Sequence, residues 1–413
     1  MSPAPTRELR EAPAMSPPNP YVVITADSHA GASIEAYREY LDAPQRQLFD
    51  EWRAGYRNPQ QKHIGSKKHK NWDDGERLRD MDADGVVGEV IFPNTVPPFF
   101  ETSVLICGNP SPESYRMRLE GIRAHNRWLV DWCAEHPERR AGIGLVYLND
   151  LDDAIEDVRW IARHGLRGGI LLPHVPPDCT HLKPLYAPDY DRLWAVCQDL
   201  GVVLNQHGGT GSPDYGPYPI SLPIRLLETP WFSTRSYAHL LLSGVFGRFP
   251  CLRYIVTESG CAWVPATLQS LDRIWERVRT GFAGEMEFAQ GVMPPEPPSF
   301  YAKRNCFYGA SSPSPRELAG RHEIGVERIL WGSDYPHYEG TYPHTRKAMR
   351  RAFSDVEPSE TRAILGENAA RLYGFDLGKL ESLAARVGPT PDELAVPLAP
   401  EEFPRDSSSM AFQ

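Results

Sequence analysis

The chain has 413 residues, 41% of them hydrophobic, which suits one large α/β domain with insertions or two ordinary domains. A net charge of −10 argues against a nucleic-acid or anionic-membrane partner. No apolar run reaches membrane-spanning length, and seven scattered cysteines without a C-x-x-C pair fit reduced thiols in a cytoplasm.

Residues 1–20 are Pro-rich and charged, without the apolar stretch of a secretory signal, and read as a disordered leader. Tyr21 to Gly31 comes next. Val22, Val23, Ile24 and Thr25 read as a buried strand that ends in Asp27-Ser28-His29. Asp27 and His29 are two apart, so both side chains point to one side of the strand end. A carboxylate beside an imidazole there suits a divalent metal.

An insertion over 31–75 carries an expected helix, Ile34 to Trp52, and a basic run, His63 to Lys70, whose Lys67 to Lys70 reads as a solvated surface loop. Strand two is expected at Val86 to Phe92, followed by an apolar loop, Pro93 to Phe100, that suits a lid or a packing surface. A helix over Ser114 to His136 leads to strand three, Ala141 to Tyr147. Leu151, Ile155, Val158 and Ile161 recur at helical spacing, which predicts an amphipathic helix over Leu151 to His164, closed by Gly165. Strand four, Gly168 to Leu172, ends at Pro173-His174. After a helix over Tyr190 to Leu200, strand five, Val202 to Gln206, ends at His207-Gly208-Gly209. A loop is expected over 208–230 and a helix over Ser236 to Phe246. Strand six, Leu252 to Thr257, ends at Glu258. A helix over Val264 to Arg279 and an aperiodic segment over 281–301 precede strand seven, Asn305 to Gly309. Strand eight, Arg328 to Gly332, ends at Ser333-Asp334-Tyr335-Pro336-His337. Two helices close the domain near residue 375, and the tail over 376–413 is Pro- and acid-rich after about Thr390 and reads as loose from there.

Eight strand–helix alternations predict a (β/α)₈ TIM barrel over 21–375. A doubly wound open sheet is the rival, but no G-x-G-x-x-G or Walker loop follows the first strand. Barrel enzymes keep catalytic groups at the C-terminal strand ends. Asp27, His29, His174, His207, Glu258, Asp334 and His337 all fall there, which points to one polar site.

The set D-S-H, N-Q-H-G-G, T-E-S-G-x-x-W-x-P and W-G-S-D-Y-P-H, with N-A-A-R-L-Y-G at Asn368 to Gly374, resembles the amidohydrolase-related family. That family includes aminocarboxymuconate-type and resorcylate-type decarboxylases. The resemblance implies a divalent metal (zinc, manganese or iron) held by Asp27, His29, His207 and Asp334. It departs at the sixth strand, where Glu258 stands in place of the decarboxylases' usual histidine. Glu258 is therefore a candidate metal ligand or proton donor, while His174 and His337 are candidate catalytic or supporting groups.

Two chemistries follow. A metal with an open position lowers the pKa of bound water to about 7 and polarises a substrate oxygen, which supports hydrolysis or decarboxylation of a carboxylated or acyl substrate. The same carboxylate and imidazole set is large enough for two metals. Resemblance to a dinuclear non-haem iron monooxygenase offshoot built on the same kind of barrel implies the alternative, an O₂-activating enzyme hydroxylating a bulky lipophilic, terpenoid-like acyl thioester. In that case Lys67, Lys68 and Lys70 would receive an anionic carrier. The expected partners are a small-molecule substrate and further copies of the chain, in the cytoplasm.

Overall fold

The computed structural model describes residues 19–58 and 66–413, the side chains of 66–68 excepted. The leader expected over 1–20 lies outside the described residues except for its last two, and so do the side chains of Lys67 and Lys68. Eight parallel strands build the barrel: β1 (Val23–Ala30), β2 (Val86–Pro93), β3 (Arg140–Leu145), β4 (Gly169–Leu171), β5 (Val203–His207), β6 (Arg253–Thr257), β9 (Cys306–Ser311) and β10 (Ile329–Gly332). Between the last two and β6 lies a small antiparallel hairpin, β7 (Phe282–Ala283) and β8 (Met286–Glu287). Each barrel strand pairs with its neighbour in chain order. The ends of β10 and β1 close the ring. The Asp334 N–H donates to the Asp27 carbonyl at 2.9 Å, and the His29 N–H donates to the Tyr335 carbonyl at 2.7 Å.

The strands divide their side chains by a period of two, as a sheet covered on both faces requires. Ile24, Val90, Ile143, Val203, Ile255 and Leu330 belong to one buried cluster. Val23, Ile91, Ile170, Leu204 and Val256 belong to another, together with helical residues such as Ile155, Val158 and Ile161. The first set fills the barrel and the second seats the helices. The helix Leu151–Arg163 starts at Asp150, whose carboxylate accepts from the N–H groups of Asp152 and Asp153. It is closed by Gly165 at φ +77°, as its spacing predicts.

Three expectations are corrected and one open choice is decided. The helix over 34–52 is broken into a 3₁₀ turn, Ala36–Tyr40, and a helix, Ala43–Gly55, because Pro44 favours a new start after Asp42. The loop expected over 208–230 becomes, from residue 221, the helix Ser221–Leu242, with Pro230 inside it. Its first half leaves Leu222, Leu226, Leu227 and Trp231 in solvent, Leu227 at 79% exposure. Of the two readings of the apolar loop after β2, packing is the one observed: Val96, Phe99 and Phe100 are buried. The tail is docked. Arg346 pairs with Glu393 at 2.8 Å and Arg350 with Glu402 at 2.9 Å, which fastens it to the helix Thr345–Phe353.

The basic run is corrected as well. Lys70 is buried, with its ammonium 2.8 Å from Glu76 and in contact with Asp80, so it is an internal ion-pair member rather than a landing site. His69 pairs with Glu76 at 2.6 Å.

One buried histidine predicts acid sensitivity. His125, 1% exposed, holds Nδ1 2.8 Å from the Tyr37 hydroxyl, and burial pushes its pKa down to about 3. The unfolded chain binds a proton near pH 6.5 that the folded chain refuses. Stability contributed by the neutral ring is therefore full above pH 6.5 and falls as pH drops toward 3, by about 1.4 kcal/mol per unit. We expect His125→Gln to lose about 2 kcal/mol less than the native chain between pH 6.5 and 5. Urea melts at the two pH values give the comparison, and equal losses would remove His125 as the cause.

Candidate metal centre

Asp27 and His29, both fully buried, close the C-terminal end of β1. His207 is the last residue of β5, and Glu258 and Asp334 lie just beyond β6 and β10. The parallel register brings these ends to one mouth. Asp27 Oδ1 lies 3.3 Å from His29 Nε2 and 3.3 Å from His207 Nε2. His29 Nε2 lies 3.1 Å from Asp334 Oδ1, and His207 Nδ1 lies 3.2 Å from Glu258 Oε2. His337 Nδ1 meets Asp334 Oδ1 at 2.7 Å.

The backbone is strained where two carboxylates turn inward. Glu258 and Asp334 have φ of 54° and 58°, the left-handed region that non-glycine residues avoid at a cost of order 1–3 kcal/mol each. The N–H of Glu258 is tied to the Gly309 carbonyl at 3.1 Å, and that of Asp334 to Asp27. Gly208 gives Glu258 room, since a Cβ there would sit 2.3 Å from the Glu258 carbonyl oxygen.

His29 tests whether this set fits a cation. Neither ring nitrogen makes a hydrogen bond, although the ring is wholly buried among carboxylates. His29 Nε2 faces Asp27 and Asp334, but an imidazole buried without a hydrogen bond is costly, and a cation among these groups would take its lone pair. Candidate ligand atoms of Asp27, His29 and His207 lie within 4.8 Å of one another, as do those of His29, Asp334 and His337. The residues fit a divalent metal. Supporting contacts also fit. His207 Nδ1–H donates to the Gly208 carbonyl at 2.9 Å, which frees Nε2 to face Asp27. Ser311 donates its hydroxyl to Asp27 Oδ2. Phe92 covers His207, with ring centres 4.4 Å apart.

Carboxylates and imidazoles in this cluster shift one another's charge states. Burial resists ionisation of Asp27, but the nearby His207 and His29 rings hold its carboxyl well below the usual range. Burial likewise opposes charge on His207, yet Glu258 and Asp27 raise it to about 9. Against the same burial, Asp334 raises His337 to about 10. Glu258 is pushed up to about 8 by burial, with Asp334 and Asp27 repelling its charge and His207 opposing the rise. Its side chain keeps 29% exposure, so it faces the mouth.

Six of the seven strand-end residues thus converge: Asp27, His29, His207, Glu258, Asp334 and His337. His174 does not join them. It sits in a recess beside the centre, against the Gln206 amide and the Thr210 hydroxyl, and burial pushes its pKa down to about 3. Sequence reasoning missed Glu339, whose carboxylate groups with Glu258, Asp334 and His337, and Asn94, whose Oδ1 meets His337 Nε2 at 3.1 Å. Asn94 directly follows β2, so the strand-end rule could have found it. Nothing in the sequence marks Glu339 beyond its place two residues after His337.

A closed (β/α)₈ barrel with carboxylates and imidazoles gathered at its C-terminal mouth defines a metal-dependent barrel enzyme. The amidohydrolase family model matches residues 67–375, and the chain belongs to that family. The gamma-resorcylate decarboxylase of Rhodococcus jostii (strain RHA1) is 24% identical over 299 residues, covering 67% of this chain and 84% of that one. The 5-carboxyvanillate decarboxylase of Novosphingobium aromaticivorans, solved with manganese and 4-hydroxy-3-methoxy-5-nitrobenzoic acid, superposes with a TM-score of 0.64 at 18% identity, covering 86% of this chain and 96% of that one. The 2,6-dihydroxybenzoate decarboxylase from Rhizobium gives 0.60 at 18% identity, covering 86% and 99%. Among the described residues no helix is long and apolar enough to cross a membrane.

Proposed function

We propose that this enzyme removes a carboxyl group from a small carboxylated aromatic substrate, using one divalent cation held by Asp27, His29, His207 and Asp334. The observation that carries the reading is His29, buried without a hydrogen bond between Asp27 and Asp334. The decarboxylase names of the relatives support the reaction class. When bound, the cation supplies Lewis-acid attraction for the substrate carboxylate and a neighbouring oxygen. The protein's own groups do the rest. Glu258, partly exposed at the mouth where burial favours its neutral form, delivers a proton to the ring carbon that bears the carboxylate. The bond to the carboxylate then breaks, its electron pair restores the aromatic ring, and carbon dioxide leaves. His337, charged and fixed between Asp334 and Asn94, holds Asp334 in place.

Manganese is the metal we propose, in line with the metal in two of the solved decarboxylases. A two-metal variant is favoured by one observation, the second group of Glu258, Asp334, His337 and Glu339. The oxidative alternative draws no support from the relatives, and the burial of Lys70 removes part of the anchor imagined for a thioester carrier. The exposed apolar face of the helix Ser221–Leu242 supports a homo-oligomer, and seven unpaired cysteines support a cytoplasmic location.

Element analysis of the purified chain, with carbon dioxide release from 2,6-dihydroxybenzoate and 5-carboxyvanillate, tests this reading. About one manganese per chain and turnover abolished by a chelator are expected. Turnover that survives complete metal removal would reject it. Loading should also release protons at pH 7, because His207 carries one that a ligand nitrogen must shed. An indicator dye in weak buffer should read about one proton or more per metal bound. A metal that binds without proton release would take His207 out of the ligand set.

A further inference from the structure

Beside the metal centre lies an open recess between the ends of β3, β4 and β5 and the loop over 104–109. Gly209 and Thr210, which follow His207 closely, form the wall it shares with the centre. Leu105, Ile122, Leu145 and Leu171 make most of it apolar.

Its charged groups are of one sign. Arg118 and Arg225 both line the recess, and no aspartate or glutamate does so among the described residues. Arg118 has no carboxylate partner among the described residues, although most arginines of this chain have a carboxylate or carbonyl acceptor. Its guanidinium lies over the Phe100 ring at 4.3 Å and near the Tyr147 ring at 5.5 Å, which fixes its plane. Its Nε is buried without a hydrogen bond, and so are the hydroxyls of Tyr147 and Ser212, which also line the recess. Donors without partners around an uncompensated, half-buried cation are costly unless an anion completes them. A guanidinium held in plane by aromatic rings is suited to a carboxylate, which it can meet through two parallel N–H bonds.

We propose that this recess is an anion subsite in which Arg118 and Tyr147 bind a carboxylate carried on an apolar ring, separate from the carboxylate at the metal. The proposal rests on the decarboxylase reading and narrows it, because the preferred substrate then carries two acidic groups. Arg118 is a specificity-determining residue here. It touches the retained acid and takes no part in bond breaking.

The test uses the full-length manganese-loaded chain with 4-fluorobenzoate as the probe, followed by ¹⁹F NMR. The native protein should bind two equivalents, one at the metal and one at the recess. Arg118→Met should bind one, and chelator-treated native protein should bind one. Chelator-treated Arg118→Met should bind none, and neutral 4-fluorobenzamide should bind at neither place. Arg118→Lys, which keeps the charge but loses the fork, should weaken the recess site about tenfold and serves if Arg118→Met does not fold. Equal stoichiometry in native protein and folded Arg118 variants would overturn the subsite. A count that chelation leaves unchanged would instead overturn the metal–carboxylate reading, so the two failures are distinguishable. Phenyl phosphate displacing the recess probe tenfold more tightly than benzoate would assign the subsite to phosphate and overturn the carboxylate assignment.

Discussion

Glu258→Gln should lose about 10²- to 10⁴-fold in kcat, while manganese content stays near one per chain and the fold is kept. Glutamine matches glutamate in size but has no acidic proton to give. Glu258 touches His207 and stands 29% exposed at the mouth, so the substitution removes a proton donor without opening a cavity. The loss should fall on kcat with KM nearly unchanged, since proton delivery acts in the transition state and not on the bound ground state. Two other outcomes have distinct signatures. A fall from two metals toward one would make Glu258 a ligand of a second cation, as the Glu258, Asp334, His337 and Glu339 group allows. A lower melting temperature with activity per folded molecule retained would make it a structural partner of His207. Measuring metal content, melting temperature and turnover on this one variant separates all three.

The barrel was legible because its evidence is periodic. The apolar runs and the helix Leu151–Arg163 repeat at spacings that local chemistry enforces, and the rule that function sits at C-terminal strand ends then selected the site. Six of the seven selected residues meet at the mouth. His174 stands apart from the mouth for a geometric reason: Pro173 and His174 lie past the short strand β4, and the chain there turns the ring toward Gln206 and Thr210. What stayed hidden depends on contacts distant in sequence. The tail looks disordered by composition, yet Glu393 and Glu402 find Arg346 and Arg350 on a helix some fifty residues earlier. Lys70 sits in a basic run that reads as a solvated loop, but Asp80 and Glu76 on the next helix draw it inside. The helix that begins at Ser221 was missed because its first turns show no buried face to impose a period, and Pro230 reads as a breaker. The pairing of Arg77 with Glu89 was missed as well, since neither residue lies at a strand end.

That pair has the largest expected effect on stability. Arg77 and Glu89 are 0% and 1% exposed, and Arg77 Nε lies 3.0 and 2.9 Å from the two Glu89 oxygens. Burial disfavours the Glu89 charge, but Arg77, with help from Arg140, holds its carboxyl below the usual range. Arg77 also donates to the His29 carbonyl at 2.8 Å and to the Ser28 hydroxyl at 3.2 Å, and its plane lies 4.9 Å from the Tyr335 ring. It thus grips both sides of the ring closure, directly behind the metal centre. Arg77→Met leaves Glu89 buried with Arg140 at 3.4 Å as its remaining charged partner, and we expect a loss of about 3–5 kcal/mol. Adding Glu89→Leu removes the stranded charge and should restore most of that loss, because a buried ion pair replaced by apolar groups is close to neutral. Metal affinity should not recover in the double variant, since the His29 carbonyl still lacks its donor. We expect it to stay about 10- to 100-fold weaker than native. Urea melts and manganese titrations on the single and double variants read the two effects separately. Recovery of stability and metal affinity together would mean that Arg77 acts on the centre only through the fold. Recovery of stability alone would make it a positioning residue for His29.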